Sequence, residues 1–313
     1  MPVVIALVVL LGSAALVGLT RPEVGPLAVY DPGPWARWGL PIARLSANVS
    51  SVLVVGLFLV AAFVESLPGL RTTTGGLRVN AAGLALMAAV TRSAEVFFAS
   101  CDIAGTPPQE MSWHEVWLCM KLEVNIYRLS RAAAMALVSV LVATRRNSRM
   151  VLLGALAATA LPFLGGHASS AANHELAVAL VVAHVLTASL WVGGLGGLLL
   201  LSFVPPLRVV IPRLVPRFSQ LAFVCAAATA ATGIGNLVAR WPDQGFGATY
   251  LVLVASKSVA FAVLCGFGWQ HRLRLQRRPA ATDPGFLRRS YLELGVMALT
   301  MALATVLASS APT

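Results

Sequence analysis

Charged side chains are scarce in this sequence. Asp, Glu, Lys and Arg make up 11% of the 313 residues, whereas hydrophobic residues make up 58%; soluble domains contain roughly 25% charged residues. A chain with so few polar side chains cannot cover its folded surface in water, so most of that surface must face lipid. The composition therefore excludes a soluble enzyme domain and predicts an all-α, polytopic membrane helical bundle.

Acidic residues are the scarcer charged class. Twelve Asp and Glu stand against 23 Lys and Arg, which gives a net charge of +11. The basic residues lie mainly in alternate loops, and because Lys and Arg concentrate in cytoplasmic loops, we expect a cytoplasmic N-terminus and an extracytoplasmic C-terminus. This placement makes the positive charge a topology signal, and we expect no nucleic-acid partner. The richer loops contain Arg71, Arg78, Arg145, Arg146, Arg149, Arg208, Arg213, Arg217, Arg272, Arg274, Arg277, Arg278, Arg288 and Arg289.

Long apolar segments dominate the chain. A helix needs about 20 mainly apolar residues to cross about 30 Å of hydrocarbon. Nine segments approach that length, so we predict about nine transmembrane helices, or eight if the first segment is a cleaved signal sequence. We divide the chain into residues 1–143, with four helices and a polar intramembrane cluster, and residues 144–313, with five. The segments are 3–20, 44–65, 79–100, 122–143, 150–166, 175–203, 217–239, 248–269 and 290–309.

Ionisable side chains are few within the predicted spans. A charge in hydrocarbon is costly and needs a partner. We expect Glu95 to pair with Arg128, and Arg92 to pair with Glu123. We also expect Lys257 to compensate one of the acids. These pairs are more consistent with a structural role than with a permeation path. Most of the charged residues away from the span ends lie in three spans, and they are Arg92, Glu95, Glu123, Arg128, Arg131 and Lys257.

Histidine is rare, and four of the five histidines lie on the predicted outer side or in the outer half of the membrane. They are His114, His167, His174 and His184. Imidazole nitrogen is a common ligand of copper, zinc, nickel and iron, and thioether sulfur favours Cu(I). These four histidines and Met111 are therefore candidate metal ligands, although their spacing matches no known metal-binding motif.

Cysteine is equally rare, with four residues. Cys101 and Cys119 lie on the predicted outer side, where they either contribute metal ligands or form a disulfide. Cys225 and Cys265 are expected to pack within the membrane. The remaining histidine, His271, lies among the inner arginines, and we expect its side chain to be solvated.

Catalytic motifs are absent from the sequence. It contains no phosphate-binding loop, no HExxH and no serine nucleophile with a positioned base, so we expect a protein that is not an enzyme. A haem or electron-transfer membrane protein stays open as an alternative, because histidines on two helices can ligate haem. That arrangement would require His184 to face a second histidine, such as His167, across the bundle.

A series of short motifs occurs in order between residues 161 and 275. The series includes Gly166-His167-Ala168, Ala183-His184-Val185, Trp191-Val192-Gly193-Gly194, Arg217-Phe218-Ser219, Thr232-Gly233, Tyr250 and Lys257. The stretch resembles the copper-resistance D (CopD/PcoD) family of bacterial inner-membrane proteins. By that resemblance, His167 and His184 are the candidate copper ligands. The sequence departs from many relatives at residues 179–182, where they carry an acid shortly before the helix histidine.

This resemblance implies a multi-pass protein of the bacterial inner (plasma) membrane that moves copper ions from the extracytoplasmic side through a histidine-containing site. Besides the lipid bilayer, it suggests a periplasmic copper chaperone or an oxidase-assembly protein as partner. A copper-assembly factor for cytochrome oxidase is an alternative function. The stretch Ala43-Arg44-Leu45-Ser46 also resembles actinobacterial members in which a CopD-like half precedes a CtaG-type half, and this implies that the chain is the N-terminal half of such a fusion.

Overall fold

The computed structural model describes residues 31–68, 75–143, 147–161, 174–239, 247–277 and 286–309. Within these ranges the chain forms α-helices and no strand, which confirms the predicted all-α class. The helices are α1 (Gly33–Glu65), α2 (Gly75–Ala104), α3 (Trp113–Met120), α4 (Glu123–Ala143), α5 (Ser148–Ala160), α6 (His174–Leu201), α7 (Pro205–Arg208), α8 (Ile211–Ala239), α9 (Ala248–Arg277) and α10 (Phe286–Ser309).

Six helices in the described ranges are long and apolar enough to cross a membrane, namely α1, α2, α4, α6, α8 and α9. Helix α5 is apolar but only 13 residues long, and α10 covers the predicted span at 290–309. The first predicted segment, 3–20, lies outside the described residues. The protein is therefore a multi-pass helical membrane protein.

Several helices extend beyond the apolar segments that predicted them. Helix α1 begins at Gly33 rather than at residue 44, and Pro34 occupies its first turn, where proline is compatible with a helix. Helix α9 continues to Arg277 rather than ending at residue 269. Hydropathy marks the part of a helix that lies in lipid, whereas hydrogen bonding continues the helix into the polar boundary.

The connection between α2 and α4 contains the unpredicted helix α3. Its N-terminus is a capping box: Ser112 Oγ accepts from the Glu115 backbone N–H, and the Glu115 carboxylate accepts from the Ser112 N–H. Hydrogen bonds from the Ser112 side chain and backbone lower the pKa of Glu115. Val116 and Cys119 are buried against the bundle, whereas Trp113 is 88% exposed. The helix therefore has one packed face and one exposed aromatic face.

Helix α1 is the central packing element. It lies between α2 and α6 and also contacts α5, α8 and α10. The closest approach is between Gly56 of α1 and Gly193 of α6, where a Cβ on either residue would overlap backbone atoms of the other helix. The paired glycines of α6 therefore permit the close helix approach that small residues allow in membranes.

Candidate functional site

His184 lies near the middle of α6, and its half-buried side chain faces α8. The Nδ1 atom is 3.0 Å from the backbone carbonyl oxygen of Thr229 and 3.2 Å from Thr232 Oγ1. A carbonyl oxygen can only accept, so Nδ1 carries the proton and donates. In the neutral imidazole, Nε2 then carries the free lone pair. Among the residues that the structure describes, none forms a hydrogen bond with Nε2.

Hydroxyl groups surround the proton-bearing side of the ring. Thr232 Oγ1 donates to the Ala228 carbonyl at 2.6 Å, so toward Nδ1 it acts as an acceptor. Thr187 Oγ1 donates to Ala183 O at 2.8 Å and lies 2.9 Å from Thr229 Oγ1, which donates to it. We call His184, Thr187, Thr229 and Thr232 the histidine–threonine group. It is uncharged, and its hydrogen bonds fix both the tautomer and the orientation of the imidazole.

Helix α9 and a glycine complete the surroundings of the ring. A Cβ added at Gly233 of α8 would lie 3.4 Å from His184 Cε1, so the imidazole fills the space that the glycine leaves. Lys257 of α9 acts on His184 electrostatically. Lys257 does not compensate the acids as expected: among the described residues the cations that pair with Glu95 are arginines, and Glu123 is exposed. Trp191 is buried and stacks edge-to-face on Phe261 at 5.7 Å.

The other predicted metal ligands occupy different parts of the described chain or lie outside it. Met111 is half-buried and lies two residues before α3, whereas His114 is exposed on the first turn of α3. His174 is the first residue of α6, ten residues before His184. His167 lies outside the described residues. Across the described ranges, no three His, Cys, Asp or Glu side chains group as metal ligands do. The five-residue ligand set therefore stays a prediction.

A second polar site joins α1, α2 and α4 around Glu95. Arg44 Nε donates to Glu95 Oε1 at 3.0 Å, Arg128 Nε lies 3.7 Å from the same oxygen, and Arg92 Nη1 pairs with Glu95 Oε2. The carboxyl group is buried, with 3% of its side chain exposed. The predicted pair of Glu95 with Arg128 is thus present, as one contact of a larger network.

Two asparagines and a fourth arginine extend this network. Arg92 Nη2 donates to Asn48 Oδ1 at 2.7 Å, and Arg128 Nη1 donates to Asn125 Oδ1 at 2.8 Å. Arg131 is buried, and its Nε has no hydrogen-bond partner among the residues that the structure describes. We call the group the arginine cluster. Its members are Arg44, Asn48, Arg92, Glu95, Asn125, Arg128 and Arg131.

The predicted pair of Arg92 with Glu123 is wrong. Glu123 is the first residue of α4 and is exposed, whereas Arg92 points to Glu95 one turn along its own helix. An exposed carboxylate is solvated and needs no buried cation. Sequence analysis also missed Arg44, although its position at the start of an apolar segment was a signal that its charge lies near the membrane boundary.

The cysteines do not form the disulfide considered above. Cys101 and Cys119 are both buried free thiols, and Cys119 Sγ lies 3.9 Å from the Ser100 carbonyl oxygen. Cys225 is buried, as expected for a packing residue, whereas Cys265 is exposed on the surface of α9. The buried thiols pack α3 against the end of α2.

His271 is not solvated as expected. Its Nδ1 lies 3.8 Å from Glu293 Oε2 of α10, and both side chains are largely buried. The helix α9 continues past the apolar segment and carries His271 into the interface with α10, whereas the charge-rich sequence around it suggested a loop.

The fold and the histidine–threonine group define a multi-pass helical membrane protein with a neutral imidazole held between two apolar helices. Residues 34–175 match the family model described as copper resistance protein D-like, N-terminal domain, and residues 212–307 match the model described as copper resistance protein D. The chain belongs to the copper resistance protein D family. No curated protein and no solved structure matches the chain.

The two family models cover most of the described helices. The N-terminal-domain model covers α1 to α5 and the first residues of α6, and the other model covers nearly all of α8 together with α9 and most of α10. His184 lies between the matched ranges, whereas its partners Thr229 and Thr232 lie within the second. The division at residues 143 and 144 stays a prediction.

Proposed function

We propose that this copper-resistance membrane protein moves copper ions across the bacterial inner membrane, from the extracytoplasmic side inward, through a site that contains His184. The observation that carries the proposal is the orientation of the imidazole. Its Nδ1 proton is directed at the Thr229 carbonyl and Thr232 hydroxyl, which leaves Nε2 as the nitrogen with an available lone pair. Metal-binding histidines are typically held by such a hydrogen bond on the opposite ring nitrogen.

The depth of His184 supports a role in transit. It lies ten residues into α6, which corresponds to about 15 Å along the helix, half of a hydrocarbon layer of about 30 Å. An ion at that depth must be bound well enough to replace its hydration, yet weakly enough to leave. A neutral imidazole meets this requirement better than paired carboxylates, which would hold a cation by full charge attraction.

The outer part of the path is proposed from the remaining candidate ligands. His167, His174, Met111 and His114 would receive copper at the extracytoplasmic surface, from a periplasmic copper chaperone or an oxidase-assembly partner. The membrane potential can drive entry, because moving one positive charge inward across 100 mV releases about 2.3 kcal/mol. The positive charge of Lys257 acts on His184 and opposes the binding of a cation there, which favours its release.

The test compares copper accumulation in cells that express wild type or His184→Asn. Asparagine places an amide N–H near the position of Nδ1, so it preserves the bond to Thr229 and removes the nitrogen that would bind metal. We expect accumulation, measured by elemental analysis, to fall to the level of cells without the protein. Thr232→Val is a milder variant. It removes the hydroxyl that helps to orient the His184 ring, so we expect the metal affinity to decrease roughly tenfold.

The control is Glu123→Gln, an exposed position with no recorded role in either polar site, which should accumulate copper as wild type does. Normal accumulation by a folded His184→Asn protein would contradict the proposal. A visible absorption band in the purified protein would indicate the haem alternative. Impaired oxidase activity with unchanged copper accumulation would indicate the assembly-factor alternative.

A further inference from the structure

The arginine cluster contains more positive charge than its acids can neutralise. In the described part of the chain, Glu95 is the one carboxylate at its centre, and it faces the guanidinium groups of Arg44, Arg92 and Arg128. Arg131 adds a fourth positive charge and interacts electrostatically with Arg92 and Glu95. Asp102 interacts electrostatically with Arg128 from the end of α2, so among the described residues two acids face four arginines. Arginine does not lose its proton in proteins, so the excess charge persists.

Burial makes this excess costly. Arg92 and Arg131 are each only 5% exposed, and water cannot solvate guanidinium groups at such positions. A buried charge without a counter-charge is strongly destabilising. Within the described ranges, Arg131 Nε is a buried donor without a hydrogen-bond partner, so the cluster has an unused donor as well as unbalanced charge. Both properties are those of a site that accepts an anion.

The cluster is also accessible from one side. The Arg44 side chain is 21% exposed and the Arg128 side chain 19% exposed, whereas Glu95 behind them is sealed. Arg44 is the first residue of the predicted apolar segment 44–65, so this side of the cluster lies near the boundary between hydrocarbon and headgroups. Exposed Trp35 and Trp38 on the first turns of α1 are consistent with that level, where tryptophan is enriched.

We propose that the arginine cluster binds a phosphate-class oxyanion, with Arg44 and Arg128 at the entrance and the Arg131 and Arg92 charges behind them. Planar guanidinium groups donate pairs of parallel hydrogen bonds to phosphate oxygens, which gives arginine its preference for this group. The same chemistry is offered by free inorganic phosphate and by the headgroup of an anionic phospholipid. The site is distinct from the histidine–threonine group and does not depend on the proposed copper path.

The experiment measures thermal unfolding of the full chain in nanodiscs of defined composition. In the first arm the lipid is phosphatidylcholine, and sodium phosphate replaces sodium chloride at constant ionic strength. In the second arm phosphatidylglycerol replaces part of the phosphatidylcholine without added phosphate. We expect at least one arm to raise the wild-type Tm by about 3 °C when the anion is well above its Kd. The arm that responds identifies the source of the phosphate group.

Two variants separate a built anion site from general attraction of anions to a basic protein. Arg131→Gln removes a buried charge of the cluster and should lose most of the anion-dependent shift. Arg149→Gln removes an exposed arginine at the start of α5, outside the cluster, and should keep it. Glu95→Gln should change the anion-dependent shift in the opposite direction. We expect this variant to have a lower Tm without the anion but a larger increase in Tm when the anion is added, because its excess positive charge is greater.

An unchanged wild-type Tm in both arms would overturn the proposal, and this result does not require any variant to fold. Equal losses of the shift in Arg131→Gln and Arg149→Gln would also overturn it, because they would show attraction by overall charge. A Glu95→Gln protein whose Tm falls by the same amount with and without the anion would show that the cluster is a self-contained ion-pair network.

Discussion

The arginine cluster and the histidine–threonine group both place polar side chains in an apolar bundle. The first stabilises them mainly by ion pairs, and the second by hydrogen bonds between neutral groups. The cluster gathers full charges from α1, α2 and α4 around one carboxylate. The histidine–threonine group contains no formal charge and satisfies its hydrogens with backbone carbonyls and hydroxyls of α6 and α8. Losing Glu95 from the first group strands positive charges, whereas losing a member of the second strands at most a neutral donor or acceptor.

This difference indicates separate roles for the two halves of the bundle. A charged network fixes the arrangement of its helices, because Arg44, Arg92 and Arg128 of three different helices share the acceptor Glu95. A neutral group tolerates the arrival and departure of a cation, because no acid holds the ion and few partners must rearrange. Stability is therefore expected to be most sensitive at Glu95 and transport most sensitive at His184.

The largest effect is expected for Glu95→Ala. Removing the carboxylate leaves Arg92 buried without its ion-pair partner, and breaking a buried pair in this way costs about 3–5 kcal/mol. Chemical or thermal unfolding in detergent measures the loss. Glu123→Ala is the matched control, since its exposed carboxylate should contribute less than about 0.5 kcal/mol. Similar losses in the two variants would remove the contrast between the two regions.

A smaller effect is expected for Gly56→Ala, which tests the contact that joins the two regions. The added Cβ would overlap the Gly193 carbonyl oxygen, so α1 and α6 must separate. We expect a loss of about 1–3 kcal/mol, similar to overpacking elsewhere, measured as a lower unfolding midpoint. Gly83→Ala on α2 is the control, because nothing lies within 4 Å of its Cβ position. It should be neutral or slightly stabilising.

The smallest effect is expected for Thr229→Val. This change removes the hydroxyl that donates to Thr187 but keeps the backbone carbonyl that accepts from His184. Hydrogen bonds between membrane helices contribute about 0.6 kcal/mol on average, so the unfolding free energy should change by about that amount. Copper accumulation should persist in this variant. Its complete loss would show that the neutral group is as sensitive to one member as the charged cluster.

The sequence predicts the positions of the helices better than the contacts between them. Apolar segments near 20 residues long marked the spans because the thickness of the membrane fixes that length. The same measure missed α3, which is only eight residues long, and it placed the start of α1 eleven residues late. Helix ends are set by capping and proline geometry, which hydropathy does not record.

The partners of the polar residues depend on how helices are rotated and paired. Arg92 and Glu95 are three residues apart, so their contact follows from helical periodicity, but the contacts of Glu95 with Arg44 and of His184 with Thr229 cross between helices. Thr229 and Thr232, three residues apart on an apolar helix, form a polar stripe that could have indicated the partner face. Which helix this stripe faces is a property of the packed bundle.

The glycine contact between α1 and α6 closes one side of α6. At Gly56 and Gly193 the two backbones touch, so no hydrated species fits between these helices. Gly193 follows His184 by nine residues, which at 3.6 residues per turn puts them on opposite sides of α6. If copper follows the proposed path past His184, the ion must therefore move along the α8-facing side of α6, because the α1-facing side is closed by the glycine contact.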